Sequence, residues 1–378
     1  LINQATILVL NHDEALFLLG DTFGHMDEEE ILQAIERVCD VGPYILGPEV
    51  IGFQQDFAAY HDIKYCVGVA SGTDALALTL RAYDIGPGDE VITVPFTWIS
   101  TAEVIKLVGA RPVFVDIDPN TYLIDVNKVK SLITDKTKAI IAVDLFGQIA
   151  DYSALNQLSE EFNIPIIQDA AQSFGATQNN KNSCSQAILS STSFFPAKPF
   201  GCYGDGGAIF TDDDDLAFAM KAIRTHGGIK RHNHTHLGYN SRLDTIQAAI
   251  LLAKFPHFHK EIEMRKMIGA RYTELLKEHC KTPNVLDCNT HVYAQYTIAI
   301  DNRDALAESL KTSGIPTGVY YPKCLHEQPV FRDLGYQWGD FPNAEKASRE
   351  VLSLPMHPWL TEREKDFIIE NVVQFSSC

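Results

Sequence analysis

The sequence predicts an α/β protein in which a large domain built on a mainly parallel sheet precedes a smaller α+β domain. Three observations predict it. Short apolar strands and amphipathic helices alternate strictly from about residue 64 to Asp169, the pattern of parallel strands covered by helices on both faces. A chain of 378 residues, 46% of them hydrophobic, is long enough to bury more than one core. Beyond about residue 260 the alternation loosens into a mixture of shorter elements.

Residues 1–25 hold two apolar stretches, Ile7 to Leu10 and Ala15 to Gly20, around an Asn11-His12-Asp13 break. They are read as an N-terminal extension of unclear role and not as a signal peptide, because no positively charged region precedes them. Asp27-Glu28-Glu29-Glu30 before Ile31, Ile35 and Val38 reads as an amphipathic helix with acids in its first turn. Gly47-Pro48-Glu49-Val50 restarts a helix.

Tyr65 to Val69 is then a strand, Thr73 to Tyr83 a helix, and Gly86-Pro87-Gly88-Asp89 a turn. Glu90 to Val94, Pro112 to Asp116, Lys138 to Val143 and Pro165 to Asp169 follow as strands, with helices at Ser100 to Val108 and Tyr152 to Phe162. Thr211-Asp212-Asp213-Asp214-Asp215 reads as a helix N-terminus in preference to a metal site. Alternating His232, His234 and His236 read as solvated or substrate-facing residues in preference to zinc ligands.

Ile246 to Phe255 is helical and leads into a long joining helix through Ile262 to Arg265. Strands at Val292 to Ile300 and Gly318 to Tyr321, and helices at Arg303 to Ser313 and Thr361 to about Val373, make up the smaller domain. The expected division is 1–25, 26–255 and 256–378.

A formal charge of −18 argues against binding the phosphate backbone of nucleic acid. The eight cysteines include no CxxC pair and no metal-ligand spacing, and read as free thiols in the cytoplasm. The longest apolar runs are far too short to span a membrane.

The chemistry concentrates in Ser193-Phe194-Phe195-Pro196-Ala197-Lys198-Pro199-Phe200-Gly201-Cys202-Tyr203-Gly204-Asp205-Gly206-Gly207. Aromatic surroundings disfavour an ammonium, and a neutral amine attacks carbonyls, so Lys198 is the candidate Schiff-base residue. The alternative is a strand-turn-strand whose lysine merely reaches solvent. Four features elsewhere favour the former. Ser71-Gly72-Thr73 sits between a strand and a helix, where orphan N–H groups bind anions. Asp169 ends an apolar strand, where a carboxylate can pair with a protonated ring nitrogen. Phe96-Thr97-Trp98 supplies an aromatic face for a flat ligand. Ser193 lies five residues before Lys198 and can donate to the same anion. Their order along the chain points to pyridoxal 5'-phosphate.

These residues resemble the DegT/DnrJ/EryC1/StrS family of nucleotide-sugar aminotransferases, whose fold is type I of the pyridoxal phosphate enzymes. The resemblance runs from about residue 26 to the C-terminus through Tyr44-Ile45-Leu46-Gly47-Pro48, Ser71-Gly72-Thr73-Asp74-Ala75-Leu76, Gln168-Asp169-Ala170-Ala171-Gln172-Ser173, the lysine loop and Gly238-Tyr239-Asn240-Ser241-Arg242-Leu243-Asp244. It implies that Lys198 anchors the cofactor covalently and moves protons, while Asp169 pairs with the pyridine nitrogen. Trp98 would stack on the ring and Gln172 would hold its phenolic oxygen. Gly72, Thr73 and Ser193 would bind the phosphate, with Asn240 reaching across from the partner in a homodimer.

For the substrate, the resemblance implies L-glutamate as amino donor and a UDP-linked keto sugar as acceptor. The match is closest to transaminases of UDP-2-acetamido-2-deoxy-3-oxo-glucuronate, enzymes of polysaccharide biosynthesis. Arg231 and Arg242 would supply positive charge for a carboxylate or pyrophosphate, and Tyr320, Tyr321 and His326 would meet the sugar. Within Val319-Tyr320-Tyr321-Pro322, Tyr320 departs from the pattern, since those enzymes carry histidine before the tyrosine. A 4-keto or 6-deoxy 3-keto nucleotide sugar is therefore the alternative acceptor. A cofactor-binding regulator without turnover is the alternative from another class.

Overall fold

The computed structural model describes residues 28–230 and 232–376, so the expected extension at 1–25 and Arg231 lie outside the described residues. The first helix, α1 (Glu28–Val41), buries Ile31, Ala34 and Val38 at the three- and four-residue spacing of one helix face. Pro48 opens α2 (Pro48–Tyr60), whose fixed φ suits a first helical position, and Val50, Phe53, Phe57 and Ala58 enter the core.

Seven strands form the central sheet: β1 (Tyr65–Val69), β2 (Glu90–Thr93), β3 (Arg111–Phe114), β4 (Thr137–Val143), β5 (Ile166–Asp169), β8 (Leu189–Ser193) and β9 (Gly207–Thr211). A small hairpin, β6 (Thr177–Gln178) with β7 (Lys181–Asn182), lies between β5 and β8. The sheet order is β1-β9-β8-β5-β4-β2-β3. Neighbours from β8 to β3 pair in parallel, whereas β9 is antiparallel to both β8 and β1. The reversal has a local cause. Residues 194–206 form no helix, so the chain turns straight back from β8 into β9 with Ser193 opposite Gly207. The strand-turn-strand and the lysine loop are thus the same object.

Helices α3 (Gly72–Ala82), α4 (Ser100–Leu107), α5 (Val126–Val129), α6 (Tyr152–Phe162) and α7 (Asp214–Ile223) connect the strands. Asp213 caps α7 by accepting from Leu216 N–H at 2.9 Å, as the acidic run after Thr211 suggests. The sheet is apolar on both faces, and Val67, Val91, Ile140, Ile141 and Ile167 are fully buried. All strands but β9 end at one edge, which collects Val69, Thr93, Val143, Asp169 and Ser193.

The long helix α8 (Thr245–Leu276) spans 32 residues and contains Pro256. The sequence reading leads a helix at Ile246 to Phe255 into a long joining helix through Ile262 to Arg265; in the structure the two are one helix that runs on to Leu276. An interior proline costs about 3 kcal/mol. Here Phe255 and Phe258 on either side pack into a cluster with Phe57, Phe174 and Phe200, and that burial offsets the cost. The division expected between 255 and 256 falls inside this continuous helix.

Beyond α8, β10 (Tyr296–Ala299) pairs with β11 (Val351–Leu354), flanked by α9 (Arg303–Thr312), α10 (Pro342–Glu350) and α11 (Glu362–Ser376). The sequence reading has a strand at Gly318 to Tyr321. Only Gly318 pairs, as a single bridge to Ser353, and the partner of β10 is the unanticipated β11. Pro322 has no N–H for a ladder, and the chain leaves for the sheet edge instead. Among the described residues, no helix is long and apolar enough to cross a membrane. No group of three or more His, Cys, Asp or Glu residues there could hold a metal ion.

Candidate active site

The site grows from the edge where the parallel strands end. Chain leaving β1 enters α3 within two residues, and Ser71 caps that helix by accepting from Asp74 N–H at 3.1 Å. The remaining N–H groups of the first turn stay directed at the edge, with the positive end of the helix dipole behind them. Thr73 Oγ1 meets Ser100 Oγ, the first residue of α4, at 2.8 Å. Ser193 closes the cradle from β8. A Cβ on Gly72 would stand 2.6 Å from Ser193 Cβ, and one on Gly207 would stand 2.5 Å from the Ser71 carbonyl carbon and oxygen. Only hydrogen fits at these positions, and the result is a nest of N–H and hydroxyl groups suited to a phosphate.

Asp169, at the end of β5, is buried. Its Oδ2 accepts from Thr101 Oγ1 at 2.9 Å and its Oδ1 from Ala171 N–H at 3.2 Å. Burial raises its pKa, and the two hydrogen bonds and the Lys198 charge pull the other way. Lys198 itself is half-buried on the β8–β9 loop, with its N–H donating to Phe195 O at 2.9 Å. Beneath the loop, Phe194 and Phe200 anchor it in the aromatic cluster with Phe53, Phe57 and Phe174.

Gln172 is buried, accepting from Phe146 N–H at 2.7 Å and donating from Nε2 to the Tyr321 hydroxyl at 3.3 Å. Tyr321 thus brings the C-terminal part of the chain to the sheet edge. Its ring lies 6.1 Å from those of both Trp98 and Phe96. Burial pushes its hydroxyl pKa up, so it stays a neutral donor and acceptor. Trp98 is 57% exposed, an open aromatic face at the mouth. Tyr320 is exposed beside Tyr321, with ring centres 6.0 Å apart.

The structure places the other candidates unequally. Ser241 accepts from Ala70 N–H at 3.4 Å, which sets the Asn240–Arg242 turn next to the cradle of Ser71 to Thr73. Asn240 is exposed there, and Arg242 is half-buried with an enclosed Nε that makes no hydrogen bond among the described residues. His326 is not brought to the site. It is buried against Phe341, with ring centres 4.8 Å apart, and its Nε2 lies 3.2 Å from Glu345. A histidine between Leu325 and Glu327 gives no local sign of which way it turns. Ser100 and Thr101 were not anticipated. The one available signal was their position opening a helix just after Phe96-Thr97-Trp98.

A lysine on a glycine-rich return, a buried strand-end carboxylate and a helix-start phosphate nest on one sheet edge define the pyridoxal-phosphate-dependent aminotransferases of α/β fold. The sequence profile of the DegT/DnrJ/EryC1/StrS aminotransferase family matches residues 25–373, and the chain belongs to that family. It is 49% identical to the UDP-2-acetamido-2-deoxy-3-oxo-D-glucuronate aminotransferase of Pseudomonas aeruginosa, over 88% of this chain and 92% of that protein. It is 46% identical to a pleiotropic regulatory protein of Geobacillus stearothermophilus, over 92% of this chain and 94% of that one. The crystal structure of S. venezuelae DesV with a ketimine intermediate superposes with a TM-score of 0.91 at 36% identity, covering 93% of this chain and 95% of that one. The cofactor is pyridoxal phosphate and the activity is sugar amino transfer.

Proposed function

We propose that the enzyme transfers the amino group of L-glutamate to C3 of a UDP-linked 3-keto sugar, with UDP-2-acetamido-2-deoxy-3-oxo-glucuronate the acceptor that fits best. The observation that carries the sugar is the 49% identity to the Pseudomonas enzyme named for that acceptor. Arg242, next to the Ser241 that meets Ala70 beside the cradle, supports it, because a guanidinium can meet a carboxylate or pyrophosphate bidentately.

The cofactor, when bound, supplies the electron sink that lets one amino group pass between two carbon skeletons. The phosphate nest of Gly72, Thr73, Ser193 and Ser100 holds its anionic end, and Trp98 covers its face. Asp169 keeps the ring nitrogen protonated, and Gln172 Nε2 has a second N–H for the phenolic oxygen. Lys198 Nζ would anchor the cofactor covalently and, as a free amine, would carry the proton away from the donor's α-carbon and back to the sugar's C3 in the reverse half. Tyr320, Tyr321 and Arg242 orient the sugar.

The active unit is a homodimer in which Asn240 serves the partner's phosphate. Exposed Tyr44, Ile45 and Ile51 support this, because Ile45 bridges to Asp244 on the same segment as Asn240. The seven described cysteines are free thiols, which fits work in the cytoplasm.

A second reading of the acceptor, a 4-keto or 6-deoxy 3-keto nucleotide sugar, is favoured by Tyr320 before Tyr321 where the resemblance expects histidine. The test is spectral. Glutamate bleaches the visible band of the loaded enzyme, and each keto sugar in turn is scored for restoring it. Restoration by the 3-oxo-glucuronate is the expected result. Restoration only by a 4-keto or 6-deoxy sugar selects the second reading, and the absence of any visible band removes both.

A further inference from the structure

The carboxylate of Asp144 has no part in the chemistry above, yet it is fully buried one residue beyond β4, beside the end of β5. Its backbone N–H donates to Asp169 O at 3.0 Å. Its Oδ2 accepts from Gln168 Nε2 at 2.7 Å and from Ser173 Oγ at 2.6 Å, and its Oδ1 accepts from Ala150 N–H at 2.9 Å. The choice of partners is informative. Gln168 immediately precedes Asp169, and Ser173 immediately follows Gln172. One carboxylate therefore ties down both ends of the segment that carries the two ring-holding side chains.

We infer that Asp144 is a positioning residue for the cofactor: by gripping Gln168 and Ser173 it fixes where Asp169 and Gln172 meet the pyridine ring. The inference rests on the site reading given above.

The partners require an acceptor. Ala150 presents a backbone N–H. Gln168 offers its amide N–H because its Oε1 is already taken by Ser190 Oγ at 2.8 Å. Ser173 Oγ is itself linked to Ser183 Oγ at 2.8 Å. An ionised carboxylate satisfies all three donors at once, and an amide would turn an N–H towards at least one of them. Burial pushes the Asp144 carboxyl up to about 7, against the pull of its three hydrogen bonds. The other titratable groups facing it are Asp169, Tyr152 on α6 and Cys184, the last two held neutral because burial raises their pKa.

The test compares Asp144→Asn and Ser173→Ala with the wild type as purified holoenzymes. Pyridoxal phosphate affinity is measured by titrating the apo-protein, and the visible band is followed against pH. The expected result is a cofactor affinity about 10- to 100-fold weaker in Asp144→Asn, equivalent to the loss of about one charge-assisted bond, with a smaller loss in Ser173→Ala. The pH midpoint of the band shifts in both variants, and kcat falls while KM for the keto sugar stays within about twofold. A residue that only stabilises the sheet would leave the band and its midpoint alone. Wild-type affinity and midpoint in both variants would overturn the inference, and should Asp144→Asn not fold, Ser173→Ala decides alone. A wild type with no visible band would instead defeat the underlying site reading.

Discussion

Replacing Gly72 with alanine tests the phosphate nest most directly. The new Cβ would lie 2.6 Å from Ser193 Cβ and 3.2 Å from Ser193 Cα and Oγ. Carbon atoms pack at about 3.5–4.0 Å, so the start of α3 must retreat from β8 by roughly 1 Å. An N–H to phosphate bond of about 2.8 Å stretched by that amount is no longer a hydrogen bond. Each charge-assisted bond contributes about 1.5–3 kcal/mol, so losing one weakens binding about 10- to 150-fold. Alanine is the better helix former by roughly 0.5–1 kcal/mol, which offsets only part of an overpacking cost of about 1–3 kcal/mol, so the apo-protein's denaturation midpoint falls modestly. The assay titrates apo-protein with pyridoxal phosphate and, separately, with phosphate-free pyridoxal. Only the phosphorylated ligand should lose affinity. An equal loss for both ligands, or none for either, would refute the placement of the phosphate between Gly72 and Ser193.

Three further outcomes are expected. Lys198→Ala abolishes the visible band and lowers turnover by at least about 10³-fold, since the proposed covalent anchor and proton carrier would both be gone; retained turnover would assign the chemistry elsewhere. Asp169→Asn lowers kcat by roughly 10²–10³-fold with little change in sugar KM, and a rise in KM alone would place Asp169 on the sugar instead. His61, buried among Phe174, Phe210 and Tyr60, has its pKa lowered to about 3 by burial, so its contribution to stability is present above its unfolded pKa of 6.5 and is lost as pH falls towards 3. His61→Phe therefore gains about 2 kcal/mol over wild type between pH 8 and pH 5; a constant gap in denaturation midpoint across that range would show that His61 does not titrate on unfolding.

The residues proposed to hold the cofactor could be picked out in the sequence because each signal is local. Lys198 lies among aromatic residues and glycines, Asp169 ends an apolar run, and Ser71-Gly72-Thr73 joins a strand to a helix. Each of these is a property of a few adjacent residues. What stayed hidden depends on contacts across long stretches of chain. Thr101 reaches Asp169 from 68 residues away, and Tyr321 reaches Gln172 from 149. Asp144 reads as one more residue after a strand until parallel pairing sets β4 beside β5. His326 reads as a possible substrate contact until packing turns it onto Phe341 and Glu345.

The strand β1 and the helix α6 follow from the sequence alone to the residue, because hydrophobic period and turn chemistry act within a handful of positions. The order of the proposed site residues along the chain is equally a property of the sequence. Tertiary structure decided that β9 runs backwards between β1 and β8, that β11 rather than Gly318 to Tyr321 pairs with β10, and that a helix continues through Pro256. In each case several local conformations were nearly equal in free energy, and burial of side chains from distant segments chose among them.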